Sequence, residues 1–117
     1  MKISIANVFS DTPWGRHPED SDFCGENFRE KHLVPALREA GNDKIVVDLD
    51  GVEGLGSSFL DEAFGALVRQ GQFSKEQLAG RLEITTTRPE YFMYKELIWQ
   101  DINTAKFASE RRMATAV

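Results

Sequence analysis

The chain holds a single cysteine, Cys24, among its 117 residues. An internal disulfide is thereby excluded, and a reducing compartment fits. There is no run of 18 apolar residues, and the opening Met-Lys-Ile-Ser-Ile-Ala-Asn lacks the apolar core of a secretory signal, so a cytoplasmic protein without a membrane span is expected. Two histidines, His17 and His32, lie far apart with no Cys or His at ligand spacing, and they do not make a metal site. Basic clusters are missing as well. With 14 Lys and Arg against 19 Asp and Glu the formal net charge is −5, and Arg111-Arg112 is an isolated basic pair, which disfavours nucleic acid as a partner. The glycine-rich stretch Gly51-Val-Glu-Gly-Leu-Gly has neither dinucleotide-loop spacing nor a P-loop lysine, so it reads as a turn and no cofactor is expected.

What remains is a composition with 41% hydrophobic and 28% charged residues, ordinary for one globular domain with one core. Its organising stretch runs from residue 44 to 72. Ile45 to Val47 with Leu49 form an apolar run suited to a central parallel strand buried on both faces. Gly51, Gly54 and Gly56 then allow a sharp turn. Ser58 reads as the N-cap of the next helix, with Asp61 reaching back as a short-armed capping box. Leu60, Ala63, Phe64, Leu67 and Val68 keep the spacing of one buried stripe, leaving Asp61, Glu62, Arg69 and Gln70 for water. Gly65 suggests close approach to a strand, and Gly71 ends the helix.

Upstream, Lys2 to Phe9 predicts a first strand near a sheet edge. Ser10 to Phe23 is rich in turn residues and leaves open a short strand around Arg16. Trp14 and Phe23 are expected to pack somewhere. Cys24 or Asp22 opens a helix that runs to Gly41, with a kink or break near Lys31 imposed by Pro35. Downstream, Ser74 caps a short helix over 75–79 before Gly80, Arg81 to Thr87 alternates as a strand, and a last helix starts near Pro89 with Tyr91, Tyr94, Leu97, Ile98 and Ile102 buried. The domain spans 1–107, and 108–117 reads as a flexible tail. The fold class is α/β, with a mixed, mostly parallel sheet of about four strands and helices packed against it.

In open sheets of this kind, ligands meet the loops beyond the carboxyl ends of the strands. Asp48, Asp50, Ser57 and Ser58 all fall there. Asp48-Leu-Asp50-Gly-Val looks like the first motif of haloacid-dehalogenase-type phosphatases, where one aspartate is a nucleophile, the other a general acid, and Mg²⁺ bridges carboxylate and phosphate; Thr87 would suit that family's phosphate-binding hydroxyl. Against it, no flap hairpin fits between Asp50 and Ser58, no later strand ends in an acidic pair, and only 30 residues follow Thr87. Cys24 beside His17 or His32 is read as a small buried residue or an imperfect cap rather than a nucleophile, and Arg16 and Arg29 are read either as an anion site or equally as surface partners of Asp22, Glu26 or Glu30.

The run from Val46 through Ser57-Ser58-Phe-Leu-Asp-Glu-Ala-Phe to Val68, together with Gly25-Glu-Asn-Phe-Arg-Glu and Leu33-Val-Pro-Ala-Leu, resembles the bacterial STAS-like domain family of unknown function, over roughly residues 8 to 105. That family is named for its similarity to sulfate-transporter and anti-sigma-factor-antagonist domains. In the antagonists, a hydroxyl in the loop after the central strand is phosphorylated by an anti-sigma kinase to break a complex. The resemblance places Ser58 at that position and Ser57 beside it, although Gly56 replaces the preceding acid and Phe59 the following glycine. It implies a non-enzymatic regulatory or adaptor module with no catalytic residue. A protein partner, such as a kinase-like ATPase or a regulator, would bind through Asp50, Gly54, Gly56, Ser57, Ser58, Asp61 and Glu62. A small phosphatase using Asp48 and Asp50, or a structural domain that forms homodimers, is the alternative.

Overall fold

The computed structural model describes residues 1–106, so the expected tail over 108–117 lies outside the described residues. Three strands form one sheet in the order β1-β2-β3, with β1 at Lys2–Ser4, β2 at Ile45–Asp48 and β3 at Leu82–Thr85. Both pairings are parallel, with Ile3 opposite Val47 and Val47 opposite Ile84. The sheet is therefore smaller and simpler than expected: three strands among the described residues, all parallel, with β2 central. The segment around Arg16 supplies no strand. Arg16 and His17 instead donate their amides to the Asp20 carboxylate, at 3.0 and 3.3 Å, which closes a tight turn and leaves no ladder for a fourth strand.

β1 is also shorter than the predicted 2–9, because Ser4 accepts a hydrogen bond from the Asn7 amide and starts a helical turn, α1, at Ile5–Val8. Both crossovers step in the same direction across the sheet, and right-handed connections then carry their helices over the same face. Burial follows that rule. Ile3, Ile45, Val47, Leu82 and Ile84 are buried, whereas Lys2, Ser4, Val46, Asp48, Glu83 and Thr85, which point the other way, are exposed or half-buried. The expectation that β2 is buried on both faces is thus corrected at Val46.

Helix α2 covers 25–40 in three pieces: α-helical Gly25–Phe28, a π-helical turn at Arg29–Leu33, and α-helical Val34–Ala40. Cys24 is its N-cap, its sulfur accepting from the Asn27 amide at 3.4 Å. Pro35 has no amide to give the carbonyl of Lys31, and the widened turn sits where that hydrogen bond is lost. Helix α3, 57–69, likewise consists of Ser57–Leu60, a π turn at Asp61–Gly65 and Ala66–Arg69. It lies between α2 and the last described helix, α5 at Phe92–Thr104. A β-carbon on Gly25 would come within 2.6 Å of the Phe59 carbonyl oxygen, so the missing side chain sets the α2–α3 approach. Gly65 faces Asp101 of α5 rather than a strand.

Helix α4, Lys75–Arg81, opens on a full capping box between Ser74 and Gln77 and continues through Gly80. A 3₁₀ turn at Pro89–Tyr91 leads into α5, Phe92–Thr104, whose inner face buries Ile98 and Ile102 while Tyr94 and Leu97 are half-buried.

Candidate functional site

Two clusters gather polar side chains, and the second is built on helix α3. The first is the carboxyl edge of the sheet. The chain leaves β2 through a loop whose apolar residues Leu49, Val52 and Leu55 are all buried, so every third residue pins it to the core. Two hydrogen bonds hold it further: the Tyr91 hydroxyl donates to the Val52 carbonyl at 2.6 Å, and the Glu53 amide donates to the Asp11 carbonyl at 2.8 Å. Gly51 has φ +97°, a left-handed backbone that favours glycine.

Asp50 receives the hydroxyls of Thr86 and Thr87, each at 2.6 Å, and the Thr87 amide. These hydrogen bonds from Thr86 and Thr87 hold its carboxyl below the usual range. Asp48 accepts the Asp50 amide at 3.0 Å with one oxygen and lies 3.5 Å from the Lys2 ammonium with the other. Asp48, Asp50 and Thr87 therefore do meet at one edge, beside an open hollow of about 480 Å³. Asp50 and Thr87 are bonded to each other there, bracing the β3–α5 connection against β2.

Beyond the loop, Gly56 occupies the N-cap position of α3 in extended conformation with no side-chain cap. The helix starts at Ser57, two residues before the expected start at Phe59, so Ser58 lies inside the first turn and is not a cap. Extended glycine at the cap position leaves the amides of that turn to water. Ser57 and Ser58 are exposed, and among the described residues neither hydroxyl has a hydrogen-bond partner. Gly54 sits near the Tyr94 hydroxyl.

Asp61, the expected second half of the capping box, turns instead to the second cluster. It accepts from Arg16 at 2.7 Å and from Arg69 at 3.0 Å. Glu62, expected in water, is 4% exposed, and its carboxylate meets Arg29 at 2.8 Å and Arg16 at 3.2 Å. Arg29, 1% exposed, also donates to the Glu62 main-chain carbonyl. Burial alone would raise both carboxyls, but the arginine hydrogen bonds outweigh it and hold Asp61 and Glu62 below their ordinary values. Asp101 faces the same cluster without such a donor, and burial followed by the charge of Asp61 pushes it up.

His17, Glu26 and Glu62 place one potential ligand atom each within 4.8 Å of one another. Glu62 already faces Arg29 and Arg16, however, and guanidinium groups at that range oppose a cation. His17 Nδ1 lies 2.9 Å from Glu26. Each member of the donor set is already hydrogen-bonded within the protein.

Sequence reasoning missed the outward setting of the aromatics. Trp14 is 57% and Phe23 46% exposed. Phe23 packs edge-on against Phe9, and Phe9 lies 6.4 Å, ring to ring, from Phe59, which follows Ser58 in the chain. The signal was their place in a Pro- and Gly-rich segment too short to bury them.

Among helices of the described residues, none is long and apolar enough to cross a membrane. No curated protein and no solved structure matches the chain. One family does, over residues 24–92, from the cap of α2 to the first residue of α5, a narrower span than the resemblance read over 8–105. That span is more than half of the chain, and the protein belongs to the family of STAS-like domains of unknown function.

Proposed function

We propose that this protein is a regulatory module that docks a protein partner on the first turn of α3 and the loop before it, with Ser58, or Ser57 beside it, as the hydroxyl that a kinase-like ATPase phosphorylates. The observation that carries this is the pair of exposed hydroxyls without structural work, at the head of a helix that is buried from Phe59 to Val68 except at Asp61. A phosphate adds nearly two negative charges. At a helix N-terminus with uncapped amides such charge is favoured. Asp61 and Glu62, the acids that would repel it, are paired with Arg16, Arg29 and Arg69.

A non-enzymatic role is supported by the bracing of Asp50, whose oxygens accept from Thr86 and Thr87 rather than standing open as a general acid. Turnover of a generic phosphomonoester with Mg²⁺, abolished by Asp48→Asn, would reverse it. The docking surface is tested by affinity capture from the native host, comparing the unaltered protein with Ser58→Ala, Ser58→Asp and Ser57→Arg. A partner held by the first two and released by the last two is the expected result. Equal recovery with all four rules this surface out.

A further inference from the structure

The outer face of α5 carries a second apolar stripe that the core does not use. Phe92 is 52% exposed, Trp99 is half-buried, and both line a hollow of about 590 Å³ with Lys95, Glu96, Gln100 and Asn103. At about 100° per residue, Phe92, Trp99 and Asn103 fall within about 40° of one another, Glu96 stands on one flank of this line and Lys95 on the other. Among the described residues, neither Lys95 nor Glu96 forms an ion pair, although several other surface charges do.

Opposite charges on opposite flanks select one geometry of self-association. A two-fold axis running along two helices brings the left flank of one against the right flank of the other. Lys95 then meets Glu96 of the second copy, while Phe92, Trp99 and Asn103 meet their own counterparts. A two-fold axis across the helices keeps like flanks together and forms no Lys95–Glu96 pair. We propose that α5 is a homodimer interface, pairing in parallel with a second copy of this chain through Phe92, Trp99 and the Lys95–Glu96 charges. It stands independently of the docking role given to Ser57 and Ser58.

A 13-residue helix is about 20 Å long, so the contact belongs with small, weak interfaces. Sedimentation of the full-length chain from roughly micromolar to roughly millimolar concentration is expected to show a monomer–dimer equilibrium. Lys95→Glu, which sets like charges against each other, is expected to weaken it by roughly tenfold. The exchange Lys95→Glu with Glu96→Lys restores it, and Phe92→Ser weakens it as well. Asn103→Cys is expected to give a disulfide-linked dimer under mild oxidation, since Cys24 is buried. A monomer at every concentration overturns the proposal, whether the stripe is covered by residues 107–117 or by another protein. Dimerisation indifferent to the Lys95→Glu charge reversal, or a dimer in which Asn103→Cys does not cross-link, overturns it too.

Discussion

Helix α3 answers two different demands along thirteen residues. From Phe59 to Val68 it is closed in by α2 and α5 and joins the common core, with Asp61 alone only half-buried. Ser57 and Ser58, one turn earlier, touch nothing that requires a hydroxyl. A change in the middle must be absorbed by a packed interior, whereas a change at the head meets water. A switchable group belongs on the head, where charge can be added without disturbing the fold, and the buried body gives that head a fixed position.

Stability should separate the two regions sharply. Phe64→Ala removes a fully buried ring and is expected to cost roughly 3–5 kcal/mol, read from denaturant unfolding. A loss below about 1 kcal/mol would mean that the body of the helix is not the fixed part. Arg29→Ala should cost roughly 3 kcal/mol, because it leaves Glu62 buried with only the more exposed Arg16 and Arg69 as partners. The pair variant Arg29→Met with Glu62→Leu is expected to recover most of that loss. If it is as unstable as Arg29→Ala, the arginine is holding the Glu62 carbonyl rather than its charge.

The turn, the central strand and the stripe from Leu60 to Val68 were legible because periodicity and glycine placement are local signals. The cap was not. Ser58 followed by Asp61 satisfies a capping pattern, but Asp61 is drawn to Arg16 and Arg69 instead, and the helix starts two residues earlier, at Ser57. The Arg29–Glu62 pair joins residues 33 positions apart, beyond any periodicity. A clue was present nonetheless: eight of the ten residues from Phe59 to Val68 are apolar or glycine, which leaves so little wet face that at least one of Asp61 and Glu62 had to be buried with a partner. The fourth strand failed for a local reason, since Asp20 captures the amides of Arg16 and His17.

A smaller effect follows from acidity. Asp61 and Glu62 titrate below their ordinary values in the folded protein, so the unfolded chain takes up protons first. Their contribution is complete above the ordinary carboxylate range and fades as pH falls through that range and the lowered folded values. Asp101 has the opposite sign: its raised value means that its ionisation disfavours the fold as pH rises. Thermal unfolding followed across this range should show stability falling on acidification, and Asp101→Asn should melt no lower than the unaltered protein at neutral pH. A clear loss in Asp101→Asn at neutral pH would show that its charge pairs favourably with the arginines after all.

The smallest effect is expected at Ser58, and its smallness is the sharpest test of the contrast within α3. Were Ser58 the N-cap, Ser58→Ala would cost about 1 kcal/mol and Ser58→Asp almost nothing. With Gly56 at the cap position and Ser58 inside the first turn, alanine is the better helix former and loses no hydrogen bond, so Ser58→Ala should lie within about 0.5 kcal/mol of the unaltered protein. Ser58→Asp should be equally mild, its charge favoured by the helix N-terminus. Both variants should therefore fold alike and still differ in partner capture, and that combination distinguishes a signalling hydroxyl from a structural one. A loss near 1 kcal/mol confined to Ser58→Ala would return the serine to a capping role and take away the observation on which its use as a switch depends.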